Sequence, residues 1–453
     1  MCPEDGCFPG LYCSSMLSDP WLSDGCTMIL TSAWRSTEVI LSIDVLSGKV
    51  TRITPEDSYY SWSALALDGN NVLAVSSSPI DPPYISYGRP VTPEGQAHRW
   101  TWDEVTSPLM ASNSKVKSLL LHHSVSILKI PVPSPSDDLS DGITLNTRDT
   151  ISGKLPFEAI FVSCKDSSHS PTVVILHGGP HSVSVSSYSK SSAFLASLGF
   201  NLLIINYRYS LGIPMQFTSY VWQYFQSDCY LIKKEVHQVT ERKLCNHFLE
   251  KLDPRYRLWL NSAFLFLLNQ SIPYSVEQDV QDCLTALDFA IKEELVDASK
   301  VSMLMGFRVG VADTPAPDRF AVAAARNPVC NLSLMIGTTD IPDWCYIVAC
   351  GTEAKQYASE APSSNHLHLF YQKSPIAHIS EVKAPLLMLL GGADRRVPVS
   401  NGLQYARGLR ERGGEVKIMM FPEDIHEINL PRSDFESFLN IGVWFKKHLN
   451  AAA

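Results

Sequence analysis

The chain has 453 residues, of which 45% are hydrophobic and 18% are charged. This composition is typical of a packed globular protein, and the length suggests about two domains. A formal net charge of -9, with no long run of Lys or Arg, argues against nucleic acid or an anionic membrane surface as a partner. Peptides or small molecules are the partners that we expect.

The cysteines and the first residues bear on the location of the protein. Eleven cysteines are an odd number at irregular spacings, and Cys2, Cys7, Cys13 and Cys26 lack the paired steps and nearby histidines of a zinc site. We interpret them as reduced thiols rather than disulfides, and we expect no metal and no cofactor. The start MCPEDGCFPG lacks the pattern of a targeting sequence, and the apolar stretch at residues 258–268 is too short to span a bilayer. A cytoplasmic protein is predicted.

Residues 1–150 are predicted to form a partial β-propeller of about two blades and a linker. Short β-rich runs separated by turn residues begin at Thr27 and continue to about Pro131. Residues 46–48 and 68–71 fit tight hairpin connections, and the regular spacing of the strands is typical of propeller blades or of a sandwich. The linker is rich in Pro, Ser and Asp and has the sequence VPSPSDDLSDG.

Residues 151–453 are predicted to form an α/β domain with a mainly parallel sheet. From Phe157 onward, apolar runs alternate with helical segments, which is the pattern of parallel strands joined by crossover helices. The runs are almost continuously apolar, as expected for strands buried on both faces. Ser433 and Glu436 form a capping box that predicts the start of the last helix. The predicted strands are FEAIFVS, TVVILH, NLLIINY, VSMLM, FAVAAA, PLLMLLG and VKIMMF.

Residues 213–274 do not fit this pattern. They contain no glycine, show no sustained period and interrupt the α/β domain. A surface insertion would explain them, since long insertions cost little loop entropy. A mistaken gene model, such as a translated intron, would also explain them. Their composition is foreign to both flanks, which favours the second interpretation.

A glycine-rich turn lies at the end of the strand TVVILH. The turn has the sequence His177-Gly178-Gly179-Pro180. An α/β-hydrolase carries one backbone N–H of its oxyanion hole at this place, and glycine lets the backbone approach a substrate carbonyl. Gly178 is therefore a candidate oxyanion donor, and a simple tight turn is the alternative.

Asp394 and His426 each lie just beyond a predicted strand. Asp394 lies in GGADRRVP after PLLMLLG, and His426 lies in FPEDIHEI after VKIMMF. Open α/β sheets carry their active sites at the carboxyl ends of the strands, and the chain order Asp then His matches the acid and base of a hydrolase triad. A lone Asp or His would be interpreted as a solvated loop residue. Two at successive strand ends predict a catalytic pair whose side chains lie within a few ångströms of each other.

Four segments together are similar to the acylaminoacyl peptidases of the prolyl oligopeptidase family of serine peptidases. They are NLLIINYR, RNPVCNLSLMIGTTDIPDWC, LLGGADRRVPVSNGLQYARGLR and SDFESFLNIGVWFKKHL. The resemblance covers about residues 157–212 and 276–450, and more weakly the first 150 residues. It implies a propeller packed over an α/β-hydrolase domain, and release of an N-acylated amino acid from a blocked peptide.

The chain departs from this family at the nucleophile. The elbow Gly-x-Ser-x-Gly should follow the strand VSMLM, but residues 306–310 read GFRVG and no other such motif occurs. Arg308 occupies the serine position, and its guanidinium stays protonated and cannot attack a carbonyl. The two prolines Pro315 and Pro317 lie where the helix after the elbow should run. Loss of serine and helix together indicates a damaged or misassembled sequence.

Two hypotheses about function remain. In the first, the chain is a serine peptidase in which Asp394 orients His426. The N–H groups of Gly178 and Val309 bind the oxyanion. This peptidase is inactive as written because Arg308 replaces the serine. In the second, it is a non-catalytic homologue that acts as a binding or oligomer-interface protein. An N-acylated peptide is the substrate expected in the first case, and a homo-oligomer is expected in both.

Overall fold

The computed structural model describes residues 8–13, 15–91, 99–105, 118, 120–132, 156–165, 170–178, 182–208, 210, 276–306, 318–350 and 361–451. The residues of the predicted insertion, 213–274, and most of the predicted linker lie outside this part of the chain. The expectations for those segments therefore remain predictions.

Two antiparallel sheets form the N-terminal part. A three-stranded sheet has the order β1-β2-β3, and a four-stranded sheet has the order β4-β5-β6-β7. The hairpins predicted at residues 46–48 and 68–71 are present as the β2–β3 and β4–β5 turns. Gly48 and Gly69 have φ values of 74° and 59°, which glycine adopts at little cost in such turns. The strands are Thr27–Trp34 (β1), Thr37–Asp44 (β2), Lys49–Arg52 (β3), Ser61–Asp68 (β4), Asn71–Ser77 (β5), Tyr84–Val91 (β6) and Arg99–Val105 (β7).

An eight-stranded sheet forms the C-terminal part, in the order β15-β14-β13-β12-β10-β11-β9-β8. The strands from β15 to β11 pair in parallel, and β9 and β8 pair antiparallel at one edge. The predicted mainly parallel sheet is confirmed. The strands are His123–Ile130 (β8), Phe157–Cys164 (β9), Thr172–Leu176 (β10), Asn201–Asn206 (β11), Val301–Gly306 (β12), Val322–Arg326 (β13), Leu386–Gly391 (β14) and Val416–Phe421 (β15).

The first strand of this sheet, β8, precedes the domain boundary that we expected at residues 150/151. Its residues 123–130 pair with β9 and not with the N-terminal sheets. The division at residues 150/151 itself remains a prediction. The pattern HSVSILKI alternates like a strand of either sheet, so its sequence alone does not indicate which sheet it joins.

Helices cover both faces of the eight-stranded sheet. On one face, Leu287 of α2 and Tyr405 of α6 belong to a buried cluster, and on the other Leu195 of α1 and Phe445 of α7 belong to a second. This arrangement is why β11 and β14 are buried along their whole length. The helices are Lys190–Ser197 (α1), Val276–Lys292 (α2), Leu332–Met335 (α3), Pro342–Cys350 (α4), Ser364–Gln372 (α5), Ser400–Glu411 (α6) and Pro431–Ala451 (α7).

The predicted capping box at Ser433 is wrong, because α7 begins two residues earlier at Pro431. Proline suits the first turn of a helix, where its missing N–H would have no partner within the helix. Glu436 pairs with Arg432 at 2.9 Å, one helical turn away, instead of reaching the backbone of Ser433. Among the described residues, no helix has both the length and the apolarity needed to cross a bilayer.

The β1–β2 turn joins the two parts of the molecule through four residues, which we call the β1–β2 clamp: Arg35, Ser36, Glu158 and Asn206. Arg35 Nη1 lies 3.3 Å from Glu158 Oε1, and the Ser36 N–H donates to Glu158 Oε2 at 3.1 Å. Asn206 Nδ2 donates to Ser36 Oγ at 2.9 Å. All four residues are buried, so the N-terminal sheets are packed against the larger sheet through buried hydrogen-bonded side chains.

Candidate active site

Two glycines let the loops after β14 and β15 pack against each other. A Cβ atom at Gly391, the last residue of β14, would lie 2.6 Å from the carbonyl oxygen of Ile425. A Cβ atom at Gly392 would lie 2.7 Å from the carbonyl oxygen of Pro422. Only glycine permits such close backbone approach. The two loops therefore meet at the carboxyl edge of the sheet, where the sequence places Asp394 and His426.

Asp394 is buried and held by the backbone of its own loop. Its side chain has no exposed surface. Oδ1 accepts hydrogen bonds from the N–H groups of Arg396 and Val397, both at 2.9 Å. These bonds stabilise the carboxylate and fix its plane. Oδ2 is consequently directed to its remaining partner, the imidazole of His426.

The structure brings His426 to Asp394, with His426 Nδ1 at 2.8 Å from Asp394 Oδ2. A carboxylate can only accept, so we assign the imidazole proton to Nδ1, which leaves Nε2 as the basic nitrogen. The His426 side chain is 20% exposed, so the ring lies at the surface of the site while its acid partner is buried. A histidine in this state can take up a proton from a nucleophile and return it to a leaving group.

Gly178 follows β10, at the same carboxyl edge of the parallel sheet. The ring of the preceding His177 stacks on Tyr207, with centroids 4.4 Å apart, and its Nε2 lies 2.9 Å from Ser210 Oγ. These contacts fix the start of the glycine-rich turn. The described residues end at Gly178 and begin again at residue 182, so the donor role of Gly178 remains a prediction.

Arg308 and Val309 lie outside the described residues, in the segment after β12. β12 ends at Gly306 between β10 and β13, so this segment leaves the sheet at the same edge as Asp394 and His426. The assignment of Arg308 to the nucleophile position therefore rests on sequence.

Asn327 is a residue of this site that the sequence analysis did not single out. It follows β13, is 2% exposed and has a φ of 42°. Its Nδ2 donates to the carbonyl oxygen of His426 at 2.8 Å, and its Oδ1 accepts from the N–H of Gly391 at 2.7 Å. It lies in the segment RNPVCNLSLM. The sheet order shows that β13 is the neighbour of β14, and this neighbourhood brings Asn327 to the site.

Arg326 holds the loop that carries His426, residues 422–430, from the side of α7, and we call this segment the histidine loop. Its Nη2 donates to the carbonyl oxygens of Glu427 and Ile428 at 2.9 and 3.0 Å, and its guanidinium lies 4.8 Å from the ring centroid of Phe438. Burial lowers the pKa of Arg326, and Asp434 at 3.6 Å partly offsets this effect. Arg326 remains a cation at every working pH, so it acts as a fixed tie.

No group of three or more His, Cys, Asp or Glu side chains in the described part of the chain could hold a metal ion. At this edge, the described residues place an imidazole against a buried carboxylate, near a glycine-rich turn. A mainly parallel sheet with helices on both faces and an Asp–His pair at its carboxyl edge defines an α/β-hydrolase.

Comparisons with known proteins identify the family within this class. Residues 1–117 match the model described as acylamino-acid-releasing enzyme, N-terminal domain, and residues 275–452 match the model of the prolyl oligopeptidase family. The chain is 66% identical over 459 aligned positions to acylamino-acid-releasing enzyme 2 of Oryza sativa subsp. japonica, covering 100% of this chain and 52% of that protein. It is 44% identical to the acylamino-acid-releasing enzyme of Arabidopsis thaliana, covering 99% of this chain and 51% of that protein.

The chain therefore belongs to the acylamino-acid-releasing enzymes of the prolyl oligopeptidase family. It spans about half the length of the curated relatives that it matches. Among solved structures, it is similar to uncomplexed Pyrococcus horikoshii acylaminoacyl peptidase, with a TM-score of 0.62 and 15% identity over 94% of this chain and 55% of that one. This structural similarity supports the fold described above for this chain.

Proposed function

We propose that the carboxyl edge of the large sheet is the acid–base half of a serine-peptidase site for N-acylated peptides. The observation that carries the proposal is the 2.8 Å contact between His426 Nδ1 and the buried Asp394 Oδ2. The names of the relatives support the substrate class, since they are acylamino-acid-releasing enzymes. The product would be an N-acylamino acid.

In the proposed reaction, His426 Nε2 removes a proton from a serine hydroxyl as the oxygen attacks the peptide carbonyl. Asp394 keeps the imidazole in the required tautomer and stabilises the imidazolium that forms. The N–H groups of Gly178 and Val309 bind the oxyanion, and His426 then gives its proton to the leaving amine. Water completes hydrolysis of the acyl-enzyme by the same steps.

The chain as written lacks the nucleophile for this sequence, because Arg308 occupies the position of the serine. We propose that it is inactive for this reason. In subtilisin, loss of the catalytic serine reduces turnover by about a million-fold, and the remaining rate comes from the oxyanion hole and binding. Pro315 and Pro317 follow closely and disfavour the helix that should present the Val309 N–H.

The second candidate is a non-catalytic homologue that acts as a binding or oligomer-interface protein. The surface of α7 favours it, because Phe435, Leu439 and Val443 are 64%, 41% and 59% exposed at successive i, i+4 positions. An apolar stripe of this kind suits contact with another protein chain. A misassembled gene model would explain Arg308 and the insertion without any such role.

We further propose a division into residues 1–150, a partial propeller with linker, and residues 151–453, a hydrolase domain with an insertion at about 213–274. β8 is the exception, as it belongs to the second unit by strand pairing. We also propose a cytoplasmic location, which the reduced thiols of described cysteines such as Cys164 and Cys345 support.

The test is to express the chain and measure hydrolysis of N-acetyl-alanyl substrates and labelling by a serine-reactive fluorophosphonate. We expect neither turnover nor labelling, because no serine lies at the elbow. Arg308→Ser, alone and combined with His426→Ala, measures whether the acid–base pair can activate a restored nucleophile. Labelling and turnover by the unaltered chain, both lost in His426→Ala, would show that another serine acts as nucleophile and that the inactive assignment is wrong.

A further inference from the structure

Asn327 connects the loop that carries the acid to the loop that carries the base. Its Oδ1 accepts from the N–H of Gly391, at the end of the strand that leads to Asp394. Its Nδ2 donates to the carbonyl oxygen of His426 at 2.8 Å and lies 3.3 Å from that of Ile425. Its backbone N–H donates to the carbonyl of Leu389 at 2.9 Å. One buried amide therefore binds both loops.

The backbone conformation of Asn327 accompanies these contacts. Its φ of 42° lies in the left-handed region, which asparagine tolerates better than most residues with a Cβ atom. The chain turns sharply here after β13, and the amide then lies between the ends of two neighbouring loops. Aspartate has the same shape but offers no N–H donor, while glycine has the same backbone freedom but no side chain. Substitution of Asn327 by aspartate therefore removes only the side-chain N–H donor, and substitution by glycine removes the whole side chain.

The histidine loop depends on such ties, because residues 422–430 have no regular secondary structure. Asp424 O accepts from the N–H of Ala393, and Arg326 binds the carbonyls of Glu427 and Ile428. These contacts hold the two ends of the loop. Asn327 binds the peptide group of His426 itself, where a small shift of the backbone moves the imidazole directly.

We propose that Asn327 is a positioning residue for the acid–base pair, setting the height of the His426 backbone over the end of β14 so that Nδ1 meets Asp394 Oδ2. This role rests on the proposed function. Asn327 acts through the backbone of His426, whose carbonyl oxygen accepts from its Nδ2. Without the amide, the His426 peptide is free to move away from β14 while Asp394 stays fixed by its own loop.

Asn401 offers a matched control. It is also a buried asparagine, and its Oδ1 accepts from the N–H groups of Cys330 and Asn331 while its Nδ2 donates to the carbonyl of Asn331. It therefore makes a similar set of hydrogen bonds in the same part of the molecule, but to a segment other than the histidine loop. A loss of stability alone should affect both variants alike.

The test uses proton NMR of the full chain labelled with ¹⁵N-histidine, because the Nδ1–H proton bound to a buried carboxylate resonates far downfield and needs no nucleophile. The resonance is assigned by its absence in His426→Ala. We expect it in the unaltered chain and in Asn401→Ala, and we expect its loss in Asn327→Gly. Asn327→Asp, which keeps the shape and removes both donated bonds, should lose it too and serves if the glycine variant does not fold.

Two failures are distinguishable. If the unaltered chain shows no downfield resonance from His426, the acid–base pair is absent and both the proposed function and the role of Asn327 are wrong. If the resonance is present and persists unshifted in Asn327→Gly or Asn327→Asp, the pair stands and the positioning role is overturned. Equal loss in Asn401→Ala would also overturn it, since general destabilisation would then suffice.

Discussion

At the scale of single residues, the site depends on close backbone contact at Gly391. A Cβ atom there would lie 2.6 and 2.7 Å from the carbonyl oxygens of Ile425 and Asp424. We expect Gly391→Ala to reduce the free energy of unfolding by about 1–3 kcal/mol, the usual cost of overpacking. Urea denaturation measures this change. Gly337→Ala is the control, because nothing lies within 4 Å of a Cβ atom at Gly337. Equal effects of the two substitutions would contradict the prediction.

His448 makes stability depend on pH. Its side chain is 11% exposed, and burial lowers its pKa, although Glu415 opposes this shift. The folded state therefore takes up this proton less readily than the unfolded state, whose histidine titrates near about 6.5. The contribution of His448 to the free energy of unfolding should therefore be complete above that pH and should be lost as the pH falls below it. Thermal melts at several pH values should show a weaker decrease in His448→Gln, and an equally strong decrease in this variant would contradict the prediction.

The proximity of Asp394 and His426 could be predicted from sequence, but the contacts of Asn327 with their two loops could not. Asp394 and His426 were identified by residue type, by their order and by their place after apolar strands. Their 2.8 Å contact follows because β14 and β15 are neighbours in the sheet. Asn327 acts through backbone carbonyls on another strand's loop. No spacing in the sequence encodes such a contact.

At the scale of secondary-structure elements, a buried ion pair joins the end of β11 to α2. Arg208 contacts the carboxylate of Asp282 through Nε and Nη2, at 3.0 and 2.7 Å, and the Asp282 side chain is 2% exposed. Removing one partner of a buried pair costs about 3–5 kcal/mol, because the other charge loses its compensation. We expect a loss of this order in Asp282→Asn, measured by urea denaturation.

The pair Arg432–Glu436 is the control for this prediction. It lies one turn apart on the surface of α7, and the Arg432 side chain is 90% exposed. Exposed pairs contribute little to stability, because water and salt screen the two charges. Glu436→Gln should therefore be close to neutral. If Asp282→Asn were equally mild, the tie between β11 and α2 would not stabilise the fold.

Elements could be predicted where apolar runs are long, and less well where two signals compete. The strands β10, β11 and β14 lie where continuous apolar runs predicted them, because burial on both faces leaves a clear pattern. The start of α7 was misplaced, since Ser433 and Glu436 match a capping box while Pro431 fits the first turn. Pairing of β8 with the larger sheet depends on tertiary contacts alone.

At the scale of the whole molecule, the β1–β2 clamp links the N-terminal sheets to the loop after the glycine-rich turn. Ser36 O accepts from the N–H of Ser186, and Asn206 Oδ1 accepts from the N–H of Ser184. The Ser61 N–H donates to the carbonyl of Ser186 at 3.1 Å. The backbone of residues 184–186 is therefore held jointly by the N-terminal sheets and β11. We expect this segment to lose order when the clamp is weakened.

Glu158→Gln tests this expectation, because it removes the charge that pairs with Arg35 in a buried place. Breaking such a pair costs about 3 kcal/mol or more, and the cost should fall on the contact between the two parts. Hydrogen exchange followed by mass spectrometry should show faster exchange at residues 34–37 and 182–189, with α7 unchanged. Asp103→Asn is the control, since it breaks the exposed pair with Arg89 within the N-terminal sheets. Faster exchange throughout α7 would indicate global destabilisation and contradict a local clamp.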